Sequence, residues 1–278
     1  MNNILLTGAS GFLGKAILRY LLSETPFRVT IIVRNPRKIK EEFKNNQKIK
    51  VIKTEDLFAE EHSWWVSNIK DISHVIHCAW YVNQSDYLYS FENYNSLQGT
   101  LKIANFLSNT SIKKFIGIGT CFEYDIEERY LSTSTALKPE TPYSACKVAA
   151  YIALKSLFRQ KKIDFNWARV FFLYGDGESK ERLVPYIKKC LRENETALLT
   201  SGLQIRDFIE VNEAARQICG LIDSSAKEEV NICSGIGVTV KDFVKSFVKN
   251  DNQLKLLKFG AKENKHFDPD IVVGVKDD

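Results

Sequence analysis

The chain has 278 residues, 44% of them hydrophobic, with 39 basic and 34 acidic side chains and a formal net charge of +5. That size fits one large α/β domain, alone or with a small lobe, and the apolar content supplies a sizeable core. No apolar run is long enough to span a membrane, no secretory leader precedes the first strand, and the dispersed charges form no nucleic-acid stripe, so the expectation is a cytoplasmic protein without membrane or nucleic-acid partners.

The elements follow in order. Ile4 to Thr7 reads as a buried strand, Phe12 to Leu22 as an amphipathic helix, and the β-branched run Val29 to Val33 as a second strand. A helix over Pro36 to Asn45 precedes a third strand at Ile49 to Ile52. Strands at His74 to Ala79 and Phe115 to Gly119 flank a long helix over Ser90 to Ser108. A helix over Pro142 to Gln160 leads into a strand at Phe165 to Phe172. This alternation predicts a doubly wound parallel sheet of Rossmann type over residues 1–175, with its ligand at the carboxyl ends of the strands. Beyond Gly175 the elements shorten. Leu183 to Glu193, Asn212 to Leu221 and Val240 to Lys249 read as helices; Ala197 to Thr200, Gln204 to Ile209 and Val230 to Cys233 read as strands. They predict a smaller mixed lobe over 176–278 that shares a cleft with the first, with some crossing of the chain between the two.

Three glycines close the first strand: Gly8, Gly11 and Gly14, spaced G-x-x-G-x-x-G. Gly8 allows the tight turn, Gly11 lets backbone approach a pyrophosphate, and Gly14 lets the helix pack against the strand. The helix N-terminus then offers unpaired N–H groups to phosphate. The alternative is a plain strand-to-helix turn.

Thr141 and Pro142 open the later helix, and Tyr143 and Lys147, four apart, share one face. An ammonium beside a phenol lowers the phenol pKa, which predicts a proton-transfer pair. Tyr151 and Lys155 repeat the spacing on a face turned by about 80°, and read as packing or solvent-facing residues. Thr120 closes the fifth strand, where it either caps that strand or donates to a carbonyl oxygen. The cysteines Cys78, Cys121, Cys146, Cys190, Cys219 and Cys233 show neither C-x-x-C pairing nor zinc-like spacing, which predicts reduced buried thiols and no metal site.

Together Thr7-Gly8, Gly11-Phe12-Leu13-Gly14, Thr120 with Tyr124, Tyr143 with Lys147, and Arg206-Asp207-Phe208-Ile209 resemble the extended short-chain dehydrogenases/reductases. Within them they resemble the branch of nucleotide-sugar epimerases, dehydratases and reductases, over Asn3 to about Lys249. The resemblance implies a catalytic trio of Thr120, Tyr143 and Lys147. It also implies dinucleotide contacts at Gly8, Gly11, Phe12, Leu13, Gly14, Asp56, Leu57, Ala79, Trp80, Asn95, Tyr143 and Lys147. Arg206 matches the arginine that grips the substrate diphosphate. Cys121 and Phe122 replace the Asp-Glu pair of the dehydratases, which argues against dehydration. Phe172 stands where many relatives carry Asn, and Glu210 and Asn212 replace the usual histidine and aspartate. The chain also lacks the family's usual final helix, which leaves one edge of the sugar pocket open. Trp80, Tyr81 and Phe122 either wall that pocket or pack in the core.

The second strand ends in Arg34-Asn35-Pro36-Arg37-Lys38, with no carboxylate to bind a ribose 2′-hydroxyl. Arg34, Arg37 and Lys38 favour a 2′-phosphate, hence NADPH over NAD; the alternative is an exposed basic loop. The expected activity is NADPH-dependent reduction of a nucleoside-diphosphate-linked 4-keto-6-deoxy sugar in deoxysugar and surface-polysaccharide biosynthesis. An epimerase with retained NAD and a non-catalytic dinucleotide sensor of the same fold are the alternatives. The helices over 90–108 and 142–160 resemble those that pair into the family's homodimer, or else simply cover the sheet.

Overall fold

Strands with two apolar faces need cover on both sides, and this chain supplies it. The computed structural model describes residues 2–37, 39, 43, 46–225, 228–263 and 268–276. Among them, the large sheet contains β1 (Asn3–Thr7), β2 (Arg28–Val33), β3 (Ile49–Lys53), β4 (His74–His77), β5 (Lys114–Thr120), β7 (Asp164–Val170) and β11 (Glu229–Ile232). Their order is β11-β7-β5-β4-β1-β2-β3, and every neighbouring pair is parallel. The order therefore reverses at β1 and β4, which opens a crevice at their carboxyl ends.

Alternate residues feed opposite cores. Ile4, Leu6, Ile31, Val33, Ile116 and Ile118 face one layer. There α1 (Phe12–Glu24) and α6 (Val211–Gly220) supply Ile17, Leu18, Leu21, Ala214 and Ile218. Leu5, Ile32, Val75 and Phe115 face the other layer. It is covered by α2 (His62–Asn68), α3 (Glu92–Leu107) and α4 (Pro142–Lys161) through Trp65, Ile103, Leu107, Leu154 and Phe158. Helix α4 begins as its residues dictate, with Pro142 in the first turn and reciprocal capping between Thr141 and Ser144.

The expected run Phe165 to Phe172 is broken after Val170. Strand β7 stays in the large sheet, while β8 (Phe172–Tyr174) leaves it to pair with β10 (Ile205–Glu210). Beyond residue 175 the chain returns to the first unit: β11 runs beside β7, and α6 packs in the layer of α1. The small sheet runs β12 (Gly237–Thr239), β10, β14 (Ile271–Gly274), β6 (Tyr130–Leu131). Helix α5 (Leu183–Glu193), β9 (Ala197–Leu198), α7 (Val240–Lys245) and β13 (Leu257–Lys258) enclose a separate core around Ile187, Leu191, Val244 and Leu257. Helix α7 is shorter than the expected Val240 to Lys249, and α8 (Asp251–Leu256) follows it. The helix expected over Pro36 to Asn45 falls largely outside the described residues. The six cysteines are free thiols, and among the described residues no helix is long and apolar enough to cross a membrane.

Candidate active site

A cleft of about 670 Å³ lies at the carboxyl ends of β1, β4, β5 and β7. Its floor is the glycine turn. Gly8 has φ 70°, and a Cβ there would stand 2.8 Å from the Ala79 amide nitrogen. A Cβ on Gly14 would stand 2.1 Å from the Gly8 carbonyl oxygen. Gly11 caps α1 without a side-chain hydrogen bond, and the first turn carries no acid. The uncapped N–H groups and the dipole therefore face the cleft with no acid in their own first turn. Gly11, Phe12 and Leu13 line it. A dinucleotide pyrophosphate fits this cradle, since the backbone approaches where a side chain would fill the space.

Thr120 ends β5 and caps the one-turn 3-10 helix Cys121–Glu123. It also lines the cleft beside Tyr143, so the capping role and the site-facing role coexist. Its amide donates to Glu123 Oε1 at 2.8 Å. Glu123 is fully buried, accepts from Arg169 Nε at 2.7 Å and from Trp167 Nε1 at 2.9 Å, and so anchors the turn. Trp167 lies across β5 because that strand has Gly117 and Gly119 there; a Cβ on either would meet the indole at 2.4 or 2.3 Å.

Tyr143 is 9% exposed and Lys147 5%, and both line the cleft. Lys147 Nζ donates to the Ile118 carbonyl at 2.7 Å and sits 3.8 Å from the centre of the Trp80 ring. Burial pulls its ammonium down to about 7, and the neighbouring Glu123 and Cys78 oppose that shift. The expectation that this ammonium acidifies the phenol is corrected here. Burial pushes the Tyr143 phenol up, and Tyr87, whose ring meets it edge-on at 5.0 Å, adds to the shift. The ammonium is directed instead at a carbonyl and an indole. A neutral phenol is nonetheless the form that can donate a proton.

A model described as the NAD dependent epimerase/dehydratase family matches residues 4–233. The chain belongs to that family. Over 99% of this chain and 100% of the relative it is 23% identical to the dTDP-6-deoxy-L-talose 4-dehydrogenase (NAD(+)) of Aggregatibacter actinomycetemcomitans. Over 37% of each chain it is 29% identical to the CDP-abequose synthase of Salmonella typhimurium. Among solved structures it resembles the UDP-N-acetylglucosamine 4-epimerase from Methanobrevibacter ruminantium M1 in complex with UDP-N-acetylmuramic acid. That likeness has a TM-score of 0.86 at 22% identity, covering 99% of this chain and 89% of the other, and it shows the fold.

In this epimerase/dehydratase-family chain the cleft gathers Gly8, Gly11, Phe12, Leu13, Gly14, Trp80, Thr120, Cys121, Phe122, Tyr143, Lys147 and Phe172 of the residues singled out by sequence. Burial pushes the Cys121 thiol up to about 12, which suits a wall and not an acid or base. Phe122 and Phe172 meet edge-on at 5.9 Å. Arg34 and Arg37 are exposed just beyond β2, and Lys38 lies outside the described residues.

The other expected contact residues are not among those lining this cleft. Asp56 is exposed and accepts from the Phe58 amide at 3.0 Å, while Leu57 packs against the second core. The Ala79 amide donates to Thr7 Oγ1 at 3.2 Å, and Tyr81 donates to Asp86 at 3.0 Å. Asn95 is exposed and bonds Glu92 at 3.1 Å. Arg206 is buried off the cleft, paired with Asp268 at 2.6 Å and lying over Phe172. Tyr151 and Lys155 form their own cluster with Glu229, and Lys155 also meets Glu228 at 2.9 Å.

Sequence reasoning missed several residues. Arg182 lines the cleft, held by Glu178 at 3.1 Å and the Leu173 carbonyl at 3.3 Å. Tyr87 also lines it. Glu123 and Arg169 were legible as charges inside apolar runs, a pattern that signals a buried pair. His77 is buried between Thr7 at 2.9 Å and Thr100 at 3.0 Å, and burial drives its pKa down to about 3.

Proposed function

We propose that this protein is a nucleotide-sugar oxidoreductase that acts at the sugar C4, working as an NADPH-dependent reductase of a nucleoside-diphosphate-linked 4-keto-6-deoxy sugar. The observation that carries this reading is the convergence of Thr120, Tyr143 and Lys147 on the cleft floored by the glycine turn. The full-length likeness to a 4-dehydrogenase of a dTDP-linked 6-deoxy sugar supports the same chemistry. Cys121 and Phe122, in place of a carboxylate pair, speak against dehydration.

Gly8, Gly11 and Gly14 hold the dinucleotide diphosphate, and Arg34 and Arg37 meet the 2′-phosphate. A nicotinamide cofactor held there would supply the hydride for the sugar C4. Tyr143 gives its phenolic proton to the oxygen forming at that carbon, and Thr120 hydrogen-bonds the same oxygen. Lys147 meets the negative charge left on Tyr143. Arg182 lines the cleft and takes the substrate diphosphate in place of the buried Arg206; a guanidinium fork suits that group. Phe122 and Phe172 wall the sugar. A second copy pairs along α3 and α4, where Tyr94 and Ile152 are exposed.

The test is NADPH consumption with UDP-, dTDP-, CDP- and GDP-linked 4-keto-6-deoxyhexoses. Stoichiometric oxidation of NADPH with one of them is expected. Interconversion of nucleotide sugars without net cofactor use identifies an epimerase instead, and binding of NADPH with no turnover across the panel overturns the catalytic reading.

A further inference from the structure

Asn93 lies in the first turn of α3, fully buried, and its amide bonds both the ring nitrogen of Trp80, which lies against Lys147, and the backbone of Tyr87, whose ring meets Tyr143. Its Oδ1 accepts from Trp80 Nε1 at 3.0 Å. Its Nδ2 donates to the Tyr87 carbonyl at 2.6 Å and to the Ser90 carbonyl at 2.9 Å. An indole N–H can only donate and a carbonyl can only accept, so these partners fix the orientation of the amide.

Each tether ends on the proton-transfer pair. The Trp80 ring lies against Lys147 Nζ at 3.8 Å. The Tyr87 ring stands edge-on to Tyr143 at 5.0 Å, and the Tyr143 amide donates to the Leu88 carbonyl at 3.1 Å, closing the same turn onto α4. The Tyr81 amide, next to Trp80, donates to Ser96 Oγ at 3.1 Å, a second tie to α3. An amide satisfied at both ends and shielded from water is costly to disturb.

We propose that Asn93 and Trp80 form a positioning bracket for the proton-transfer pair: one buried amide fixes the indole that carries Lys147 and the turn that carries Tyr87 against Tyr143. This rests on the reading of Tyr143 and Lys147 given above. Trp80 acts on Lys147 through its ring face, which favours the charged ammonium inside an otherwise dehydrated pocket. The other titratable groups facing Lys147 are His77 and Cys78 from the end of β4, Glu123 from the turn after β5, and Tyr143 on its own helix.

The experiment follows the Lys147 ammonium by NMR of isotope-labelled lysine in the full chain across pH. Trp80→Leu keeps the site apolar and removes the ring face, so the Lys147 midpoint should fall by about one pH unit. Trp80→Phe restores a ring face and should recover at least half of that shift. Asn93→Ala releases the indole and should move the midpoint in the same direction as Trp80→Leu, which provides a second route if Trp80→Leu does not fold. Turnover of dTDP-linked 4-keto-6-deoxyglucose gives the kinetic readout: Trp80→Leu should lower kcat about tenfold with KM within about threefold. An unmoved midpoint in Trp80→Leu and Asn93→Ala overturns the bracket, even where Tyr143→Phe is inactive. Full turnover by Tyr143→Phe sinks the proposed function instead, and the midpoint still decides the bracket.

Discussion

Gly11→Ala and Gly14→Ala separate the two jobs of the glycine turn. At Gly14 the added methyl stands 2.1 Å from the Gly8 carbonyl oxygen and 2.8 Å from its carbon, both backbone atoms. An ordinary contact needs more than 3 Å, so α1 must back away from the turn by roughly 1 Å, an overpacking cost of about 2–3 kcal/mol. For a chain of this size that is a Tm loss of roughly 4–10 °C. At Gly11 the methyl meets one atom, the Gly8 oxygen at 3.3 Å, and otherwise opens on space. Its backbone, φ −77° and ψ 172°, suits any residue. The loss of chain freedom in the unfolded state offsets about 0.4–1 kcal/mol of the tight contact. Gly11→Ala should therefore hold its Tm within about 2 °C. It should still weaken dinucleotide binding tenfold or more, because its methyl occupies the phosphate approach; tenfold is about 1.4 kcal/mol. Thermal unfolding and calorimetric titration with NADPH read the two effects. Unimpaired binding by Gly11→Ala would refute the assignment of the turn as the phosphate cradle.

Arg34→Glu combined with Arg37→Glu should weaken NADPH at least tenfold and leave NADH binding within about threefold, read by paired titrations; equal loss of both cofactors contradicts the 2′-phosphate assignment. Glu123→Gln leaves Arg169 charged and buried, a loss of about 3–5 kcal/mol in denaturant unfolding, whereas Glu127→Gln, at a pair whose carboxylate is 78% exposed, should cost under about 1 kcal/mol. His77 is neutral when folded, because burial pushes its pKa from 6.5 to about 3. Between those values the unfolded chain holds a proton that the folded chain does not, so stability falls as pH drops below 6.5. The slope of unfolding free energy against pH in His77→Gln should be shallower by about 1.4 kcal/mol per unit there, and an unchanged slope removes His77 from the acid response.

The parts of the molecule that could be read from sequence are those governed by neighbours along the chain. The glycine spacing, the alternating strands and the Thr141-Pro142 helix start each depend on a few consecutive residues, and each forms as expected. The short strands β6 and β14 pair only with each other and the sheet they share, and a two-residue or four-residue run carries no periodicity. Within the site, Asn93 and Asn95 stand two apart, and only the packing of α3 decides that Asn93 turns inward while Asn95 meets solvent. Arg206 matched a motif, yet Asp268, 62 residues later, claims its guanidinium and leaves the cleft to Arg182. Glu123 and Arg169 meet across 46 residues. Helical spacing brings Lys147 to the cleft beside Tyr143, but its carbonyl and indole partners come from β5 and the end of β4, so its surroundings were not legible.

The most direct measurement compares Tyr143→Phe with the native protein, using the nucleotide keto-sugar that supports the fastest NADPH oxidation. Removal of the phenolic proton should lower kcat about a thousandfold while the Kd for NADPH stays within about threefold. Turnover at the native rate in that variant contradicts the assignment of Tyr143 as the proton donor.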